Sequence, residues 1–496
     1  MSEPASPLLT PNSGDPDVDA AAMLIRDAGL PGQPPVPRSA IDTLLGDRFR
    51  VVGSRRATRS PYRSATAWCL LHSGRAKDAL ELAEREGRIS LHRAAGKNTP
   101  ADQSACYAIL AEVYFFNGWL REAIACASSA KDYAREAGHE GRLFRAQGLL
   151  SAALAWSGEI NRAAVIAREA REIGEPRGWT NDSAARPLLM AEILVLSRRA
   201  DAAGIAGICE TLERNGGRDV ISRGVTRFCT LVLKSVEQDN RQIVATARLV
   251  THGSDALLSP PCILSAVASM EAVAHTHLGE PGAALAALQV GGSSHDHSVC
   301  YPLLEATVYL QLKEFRKALE VTDHCVKQQP DHAVASLVSV QLRRALAYEG
   351  LGLSSRADVA YSNANHLAYE CGLLSGTLGL SRAPLQVLFD RMAENEPEFA
   401  AKVTAALPTN YEYPDRPGPN FEPFQLTERE SVMAGWLMTD LTLPEIAQEL
   451  TVSINTVKSQ VRSLYRKLQA SSREEAVLRL ERTGLYRPKV YGQSPG

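Results

Sequence analysis

Between Asn455 and Lys467 stand eight side chains suited to contact with a nucleic acid: Asn455, Thr456, Lys458, Ser459, Gln460, Arg462, Arg466 and Lys467. No acidic residue occurs from Thr451 to Gln469. Lys and Arg neutralise phosphates or reach guanine O6 and N7, while Asn and Gln can pair with adenine N6 and N7, so the set fits the major groove of double-stranded DNA. The same stretch carries Val457, Val461, Leu464 and Leu468 at the period of one helical face, which predicts an apolar side packed on neighbours. A charge run of this kind can also be no more than a solvated helix face. The elements around it decide between the two.

Those elements are a series of helix starts. Thr427 precedes Glu430 by three residues, Thr442 precedes Glu445, and Ser472 precedes Glu475. In each pair the hydroxyl and carboxylate can satisfy one another's orphan backbone donors. Ser453 offers a fourth start without the box, because Thr456 holds the third position, and Pro444 lies just inside the second helix. A short helix from Thr442 to Leu450, a connection of three residues and a helix beginning at Ser453 form a helix-turn-helix, with Ile446 and Leu450 placed to pack on Val457 and Val461.

Leu426-Thr427-Glu428-Arg429-Glu430, Glu445-Ile446-Ala447-Gln448-Glu449-Leu450, Ser453-Ile454-Asn455-Thr456-Val457-Lys458, Tyr465-Arg466-Lys467-Leu468 and Ser472-Arg473-Glu474-Glu475-Ala476-Val477 resemble the four-helix LuxR-type helix-turn-helix domain. The resemblance implies that Lys458, Ser459, Gln460 and Arg462 lie in the major groove and that Thr456 and Arg466 meet phosphates. It also implies that the helix from Ser472 to Thr483 makes a homodimer, which would read a pseudo-palindromic site. Asp440 stands where the family usually has Gly, Leu443-Pro444 where it commonly has Asn-Lys, and Gln469 where it usually has Gly. Asp tolerates a left-handed turn, so the first departure is compatible with the fold. The second removes a lysine that could contact phosphate.

Upstream, a turn residue followed five positions later by Ala recurs at Gly74/Ala79, Gly118/Ala123, Gly158/Ala163, Arg198/Ala203, Gly279/Ala284, Lys313/Ala318 and Gly352/Ala357, at steps of 44, 40, 40, 81, 34 and 39 residues. The long step holds two periods and places a degenerate unit near Asp239, with Val244 in the Ala position. Apolar-periodic segments flank each turn, as in Cys106, Ile109, Leu110, Val113 and Tyr114 before Gly118. Eight helical hairpins are expected, the small residue letting paired helices approach closely. Gly118-Trp-Leu-Arg-Glu-Ala123 and Lys313-Glu-Phe-Arg-Lys-Ala318 resemble the tetratricopeptide repeat, at a longer period. Similar arrays occur in regulators with a C-terminal LuxR-type domain, often behind an ATPase module. No G-x-x-x-x-G-K-[ST] stretch is found here, since Gly96-Lys97 is followed by Asn98 and lacks the earlier Gly.

The predicted fold class is therefore all-α: a tetratricopeptide-like superhelix followed by a four-helix DNA-binding domain. Residues 1–40 carry Pro4, Pro7, Pro11, Pro16, Pro31, Pro34, Pro35 and Pro37 and are expected to be disordered. Residues 41–393 form the array, 394–424 a Pro-rich linker with Tyr411, Tyr413, Phe421 and Phe424, 425–487 the DNA-binding domain and 488–496 a tail. Neither a signal peptide nor an apolar run of eighteen residues is present, which predicts a soluble cytoplasmic chain with no membrane partner.

Nine cysteines without a C-x-x-C suggest buried small apolar residues in a reducing compartment. His295, His297 and Cys300, with Asp296, have metal-ligand types without a recognised metal spacing and are read as a polar inter-repeat loop. Arg48, Arg50, Arg55, Arg56, Arg59 and Arg63 could meet DNA or an acidic partner, or be solvated; the solvated alternative is preferred. Net charge is −2 overall, so DNA affinity must come from focused charge and dimerisation. No enzyme motif, cofactor or metal set is recognised. The expected function is a bacterial DNA-binding transcription regulator whose array senses a protein or small-molecule effector, with RNA polymerase a further candidate partner. The alternative is a helical-repeat scaffold that recruits transcription machinery and uses the helix-turn-helix as a tether or dimerisation module.

Overall fold

The computed structural model describes residues 16–46, 60–89, 99–215, 219–253, 256–278, 280–327, 332–371, 382–406, 428–439 and 441–468, with 470, 472, 473, 476 and 477. Among the described residues all regular structure is helical. Two short helices, α1 (Pro16–Arg26) and α2 (Arg38–Leu45), come first. Eight hairpins follow. These are α3 (Ser60–His72) with α4 (Ala76–Ile89), α5 (Pro100–Phe116) with α6 (Leu120–Glu136), α7 (Glu140–Ser157) with α8 (Ile160–Gly174), and α9 (Arg186–Ser197) with α10 (Ala202–Arg214). The remaining four are α11 (Val220–Val236) with α12 (Asn240–Thr251), α13 (Pro261–His277) with α14 (Pro281–Ala287), α15 (Tyr301–Gln311) with α16 (Phe315–Lys327), and α17 (Val334–Gly350) with α18 (Ser354–Cys371). Then come α19 (Arg382–Asn395), α20 (Pro397–Ala406), α21 (Glu428–Leu437), α22 (Leu443–Glu449) and α23 (Ile454–Leu468).

The hairpin turns share one local solution. Gly74, Gly118, Gly158, Lys313 and Gly352 all take positive φ. The next residue then donates its N–H to a carbonyl five positions back, as in Trp119 to Tyr114 and Glu159 to Leu154, both at 2.9 Å. Five residues after each turn, Ala79, Ala123, Ala163, Ala318 and Ala357 are buried. Two hairpins differ from the sequence expectation. In the fourth, Ala200 rather than Arg198 takes positive φ, and the buried fifth residue is Ile205 while Ala203 is exposed. In the fifth, Gln238 turns and Ile243 is buried, one residue before the expected Val244. A left-handed turn without glycine carries no compositional signal, so the register there was set by the wrong residue.

The chain divides into two compact units, residues 1–304 and 305–496. In the first, the leading helices of the hairpins pack on one another, and α13 returns to touch α5, so these helices face inward. The loop around residues 293–299 closes on the α5–α6 turn. His295 stacks on Trp119 with ring centroids 4.0 Å apart, the N–H of Leu120 donates to Asp296 at 3.2 Å, and a side chain at Gly118 would collide with Ser294 Cβ. In the second unit, Ala306, Ala318 and Ala347 pack beneath Phe315. Arg391 ties α19 to Glu349 and Asp358, while Glu396 and Phe399 engage His366 by a hydrogen bond at 2.7 Å and a stacked ring.

Two segment expectations are corrected. Residues 16–40, read as part of a disordered tail, contain α1 and the start of α2, and Ile25 and, further along α2, Leu44 are buried, because two short apolar stripes find partners on α3 and α5. The expected linker at 394–424 begins with helix α20, held by Val403 and Ala400 in addition to Phe399. Tyr411, Tyr413, Phe421 and Phe424 lie outside the described residues, as do Arg48, Arg50, Arg55, Arg56 and Arg59. The eight cysteines whose side chains are described are all buried. None of the described helices is long and apolar enough to cross a membrane.

Candidate nucleic-acid interface

Helix α22 starts at Thr442, whose backbone N–H and hydroxyl both donate to Glu445 at 2.7 Å, with Pro444 in the first turn. The Thr442 hydrogen bonds hold the exposed Glu445 carboxyl below its ordinary range. It ends at a left-handed Thr451, and Val452 donates to Ala447 at 3.0 Å. Ser453 then accepts the Thr456 N–H at 3.1 Å and starts α23. The Thr427 and Ser472 boxes include residues outside those described.

One face of α23 is fixed by its apolar residues. Val457, Val461, Leu464 and Leu468 join Met433, Ala434, Leu437, Ile446, Ala447 and Ala476 in a single core. On the opposite side Asn455, Thr456, Lys458, Ser459, Arg462 and Arg466 are exposed. Asn455, Lys458, Ser459, Arg462 and Arg466 form one stripe, with intervals of three and four along the helix. Gln460 and Lys467 are half-buried, toward the edges of that stripe. The Thr456 hydroxyl lies 2.8 Å from that of Ser453, so it supports the cap as well as facing outward.

Lys467 is tied down. Its ammonium lies 2.6 Å from the buried carboxylate of Glu430, which also accepts from Ser463 at 3.0 Å. Sequence reading assigned Glu430 only to a capping box and missed this cross-link between α21 and α23. Arg473 was missed too. Its guanidinium donates to the carbonyls of Leu437, Thr439 and Leu441 at 2.6 to 3.0 Å, satisfying orphan acceptors beyond the end of α21. Val452 and Ile454 also stand exposed at the entrance to α23, where apolar groups can meet thymine methyls. Of the expected dimerisation helix, Ser472, Arg473, Ala476 and Val477 are described, and Ala476 is buried in the core of its own domain.

Residues 425–480 match the family of bacterial regulatory proteins, luxR family. Over this segment the chain is similar to LuxR-type helix-turn-helix domains. No curated protein matches the chain. The LuxR-type domain supports a DNA-binding transcription regulator, and its buried face and exposed basic stripe have the arrangement that groove reading requires.

The polar loop of the array has a different character. Asp296 is buried and accepts from Leu120, Ser298 and Ser294, and burial nevertheless pushes its carboxyl above the usual range. With His295 stacked on Trp119, these two residues serve the packing of the first unit.

Proposed function

We propose that this chain is a sequence-specific transcription regulator in which α23 enters the major groove and two copies read a pseudo-palindromic site. The single observation that supports this reading is the acid-free exposed stripe Asn455, Lys458, Ser459, Arg462 and Arg466, set opposite the buried Val457, Val461, Leu464 and Leu468. Lys458 and Arg462, near the middle of the stripe, are assigned to base edges or adjacent phosphates, and Asn455 and Ser459 to bases. Thr456 and Arg466 are assigned to phosphates. Gln460 reads from the edge of the stripe, and Lys467 acts chiefly through Glu430. Residues 41–393, preceded by the α1 segment, form the part that senses a protein or small-molecule effector, and RNA polymerase is the partner for output.

Selection of oligonucleotides by the purified full chain, followed by anisotropy titration of the selected site, tests the groove assignment. Lys458→Ala and Arg462→Ala should each weaken binding by about 1–3 kcal/mol, Arg462→Ala with loss of discrimination at one position of each half-site. Unselective recovery of oligonucleotides, with affinity unchanged in both variants, would refute it and favour a scaffold that uses the domain as a tether.

A further inference from the structure

The inner face of the first unit is already occupied. Helix α1 lies on α3 and α5, and α2 lies on α3. Their shared surface is made of Ala21, Ala22, Ile25, Ala28, Ala40 and Leu44 against Ala65, Trp68, Cys69 and Ile109. Most of these strap residues are alanines, with Ile25 and Leu44 the largest, and Val36, Ile41 and Leu45 pack partly buried against the same surface.

From the end of α1 the segment makes polar contacts with α5 and then α7. Arg26 pairs with Asp102 at 3.4 Å, and Asp27 accepts from Arg142 at 2.6 Å. Gly29, at positive φ, leaves room for the Arg145 guanidinium, which a Cβ there would approach to 3.1 Å. The N–H of Gly32 then donates to Asp182 at 3.0 Å.

The arginines beneath this segment are incompletely satisfied. Arg142 and Arg145 are 5 % and 4 % exposed, yet Nε and Nη1 of Arg142 and Nη1 of Arg145 are buried without a hydrogen-bond acceptor. A guanidinium offers five donors in a planar fork, and burying them unmatched is costly. Asp27 reaches Arg142 through one nitrogen, and Glu112 reaches Arg145 through one. If residues 16–45 left this face, Arg142 would lose its carboxylate. Whatever replaces them has to bring an anionic acceptor to Arg142 together with an apolar stripe for Trp68 and Ile109.

We propose that the face formed by α3, α5 and α7 is a docking site for an amphipathic peptide helix carrying a carboxylate for Arg142, and that residues 16–45 are its built-in competitor. The resident segment serves as the template for the ligand: small and branched apolar residues at helical spacing, ending in an acidic residue. A partner that fills both forks of Arg142 and Arg145 displaces it. This rests on the reading of the array as the sensing part of a regulator and specifies its ligand class.

The test is an anisotropy titration of a fluorescent peptide with the sequence of residues 16–45 against the full chain. An Ile25→Ser/Asp27→Asn chain, whose own strap is weakened, should bind it at least about ten-fold more tightly than the wild type, because the competent state is more populated. Adding Arg142→Gln to that chain should weaken binding by about ten-fold or more. A peptide carrying Asp27→Asn should lose a similar factor against unaltered Arg142, and this arm needs no further change in the protein. Equal affinity for the wild-type and opened chains, or indifference to both Arg142 and the peptide's Asp27, would overturn the proposal. Free glutamate competing as effectively as the peptide would also overturn it, by reassigning the site to a small anion. The titration contains no DNA and leaves residues 454–468 unchanged, so its failure is distinguishable from a failure of the groove assignment.

Discussion

The two concentrations of charge in this molecule are built on opposite terms. On α23 the cations Lys458, Arg462 and Arg466 are exposed, on a helix without an acid. On the inner face of the repeat unit, Arg142 and Arg145 are buried and Arg26 and His72 partly so, each within reach of a carboxylate: for Arg26 Asp102, for Arg142 Asp27, for Arg145 Glu112 and for His72 Asp219. An exposed unpaired cation keeps its hydration and remains available for a phosphate. A buried one has to be matched from within the fold, so it specifies packing, and any unmatched donor left over is costly. The same residue types are therefore left solvated on an exposed face in one region and built into the internal architecture in the other.

The largest effect expected from breaking this contrast lies inside the array. Glu112 bridges His72 at 3.3 Å and Arg145 at 3.0 Å, and although burial opposes its ionisation, these partners hold its carboxyl down to about 2. Glu112→Ala leaves two buried cationic groups without that partner and should destabilise the unit by about 3–5 kcal/mol, followed by urea unfolding. Trp68, stacked on His72 at 3.7 Å, lies beside the altered site and contributes to the fluorescence signal. A change under about 1 kcal/mol would mean that solvent already screens this pair.

Next in size is the one place where the DNA-binding domain uses the array's kind of pairing. Glu430→Gln should cost about 1–3 kcal/mol of domain stability, because Lys467 and Ser463 both depend on its carboxylate. Arg466→Ala, one residue earlier and exposed, should leave stability within about 0.5 kcal/mol and instead lower the salt slope of DNA binding by about one. Thermal melts and a salt series on the selected site separate the two outcomes.

Much of this was legible in sequence because it is local. Gly118 and Ala123 mark a hairpin by type and spacing, and Val457, Val461, Leu464 and Leu468 define the hidden face of α23, leaving its exposed basic face by elimination. What escaped is long-range or unsignalled. The Arg142–Asp27 bond spans 115 positions and the Lys467–Glu430 bond 37, and neither pair has a spacing that announces it. Ala200 turns left-handed without a glycine, which displaced the fourth hairpin's register. Proline density concealed α1, because the Ala21, Ala22, Ile25 and Ala28 stripe is too short to be recognised without the surface that receives it.

The smallest expected effect is a pH dependence confined to the array. Burial disfavours a charged His72, but its hydrogen bonds to the carboxylates of Asp219 and Glu112 and their charges outweigh it, raising its pKa above the ordinary 6.5. Its contribution to stability is therefore complete below pH 6.5 and is lost as pH rises through the raised value. Glu112, lowered from 4.5 to about 2, contributes fully above pH 4.5 and loses that contribution as pH falls toward 2. Urea midpoints for the unit should be highest between these limits. His72→Gln should flatten the alkaline side and move the acid limb to higher pH, because the His72 hydrogen bond and charge come first among the influences that lower Glu112.

The most direct test of groove reading by α23 is genome-wide mapping of DNA occupied by the wild-type chain and by Lys458→Ala/Arg462→Ala. Both substitutions lie on the exposed stripe, so the variant should melt with the wild type. Discrete wild-type peaks that share a pseudo-palindrome and vanish in the variant are the predicted result. Peaks that persist unchanged in the variant, or no wild-type peaks at all, would contradict groove recognition by this helix.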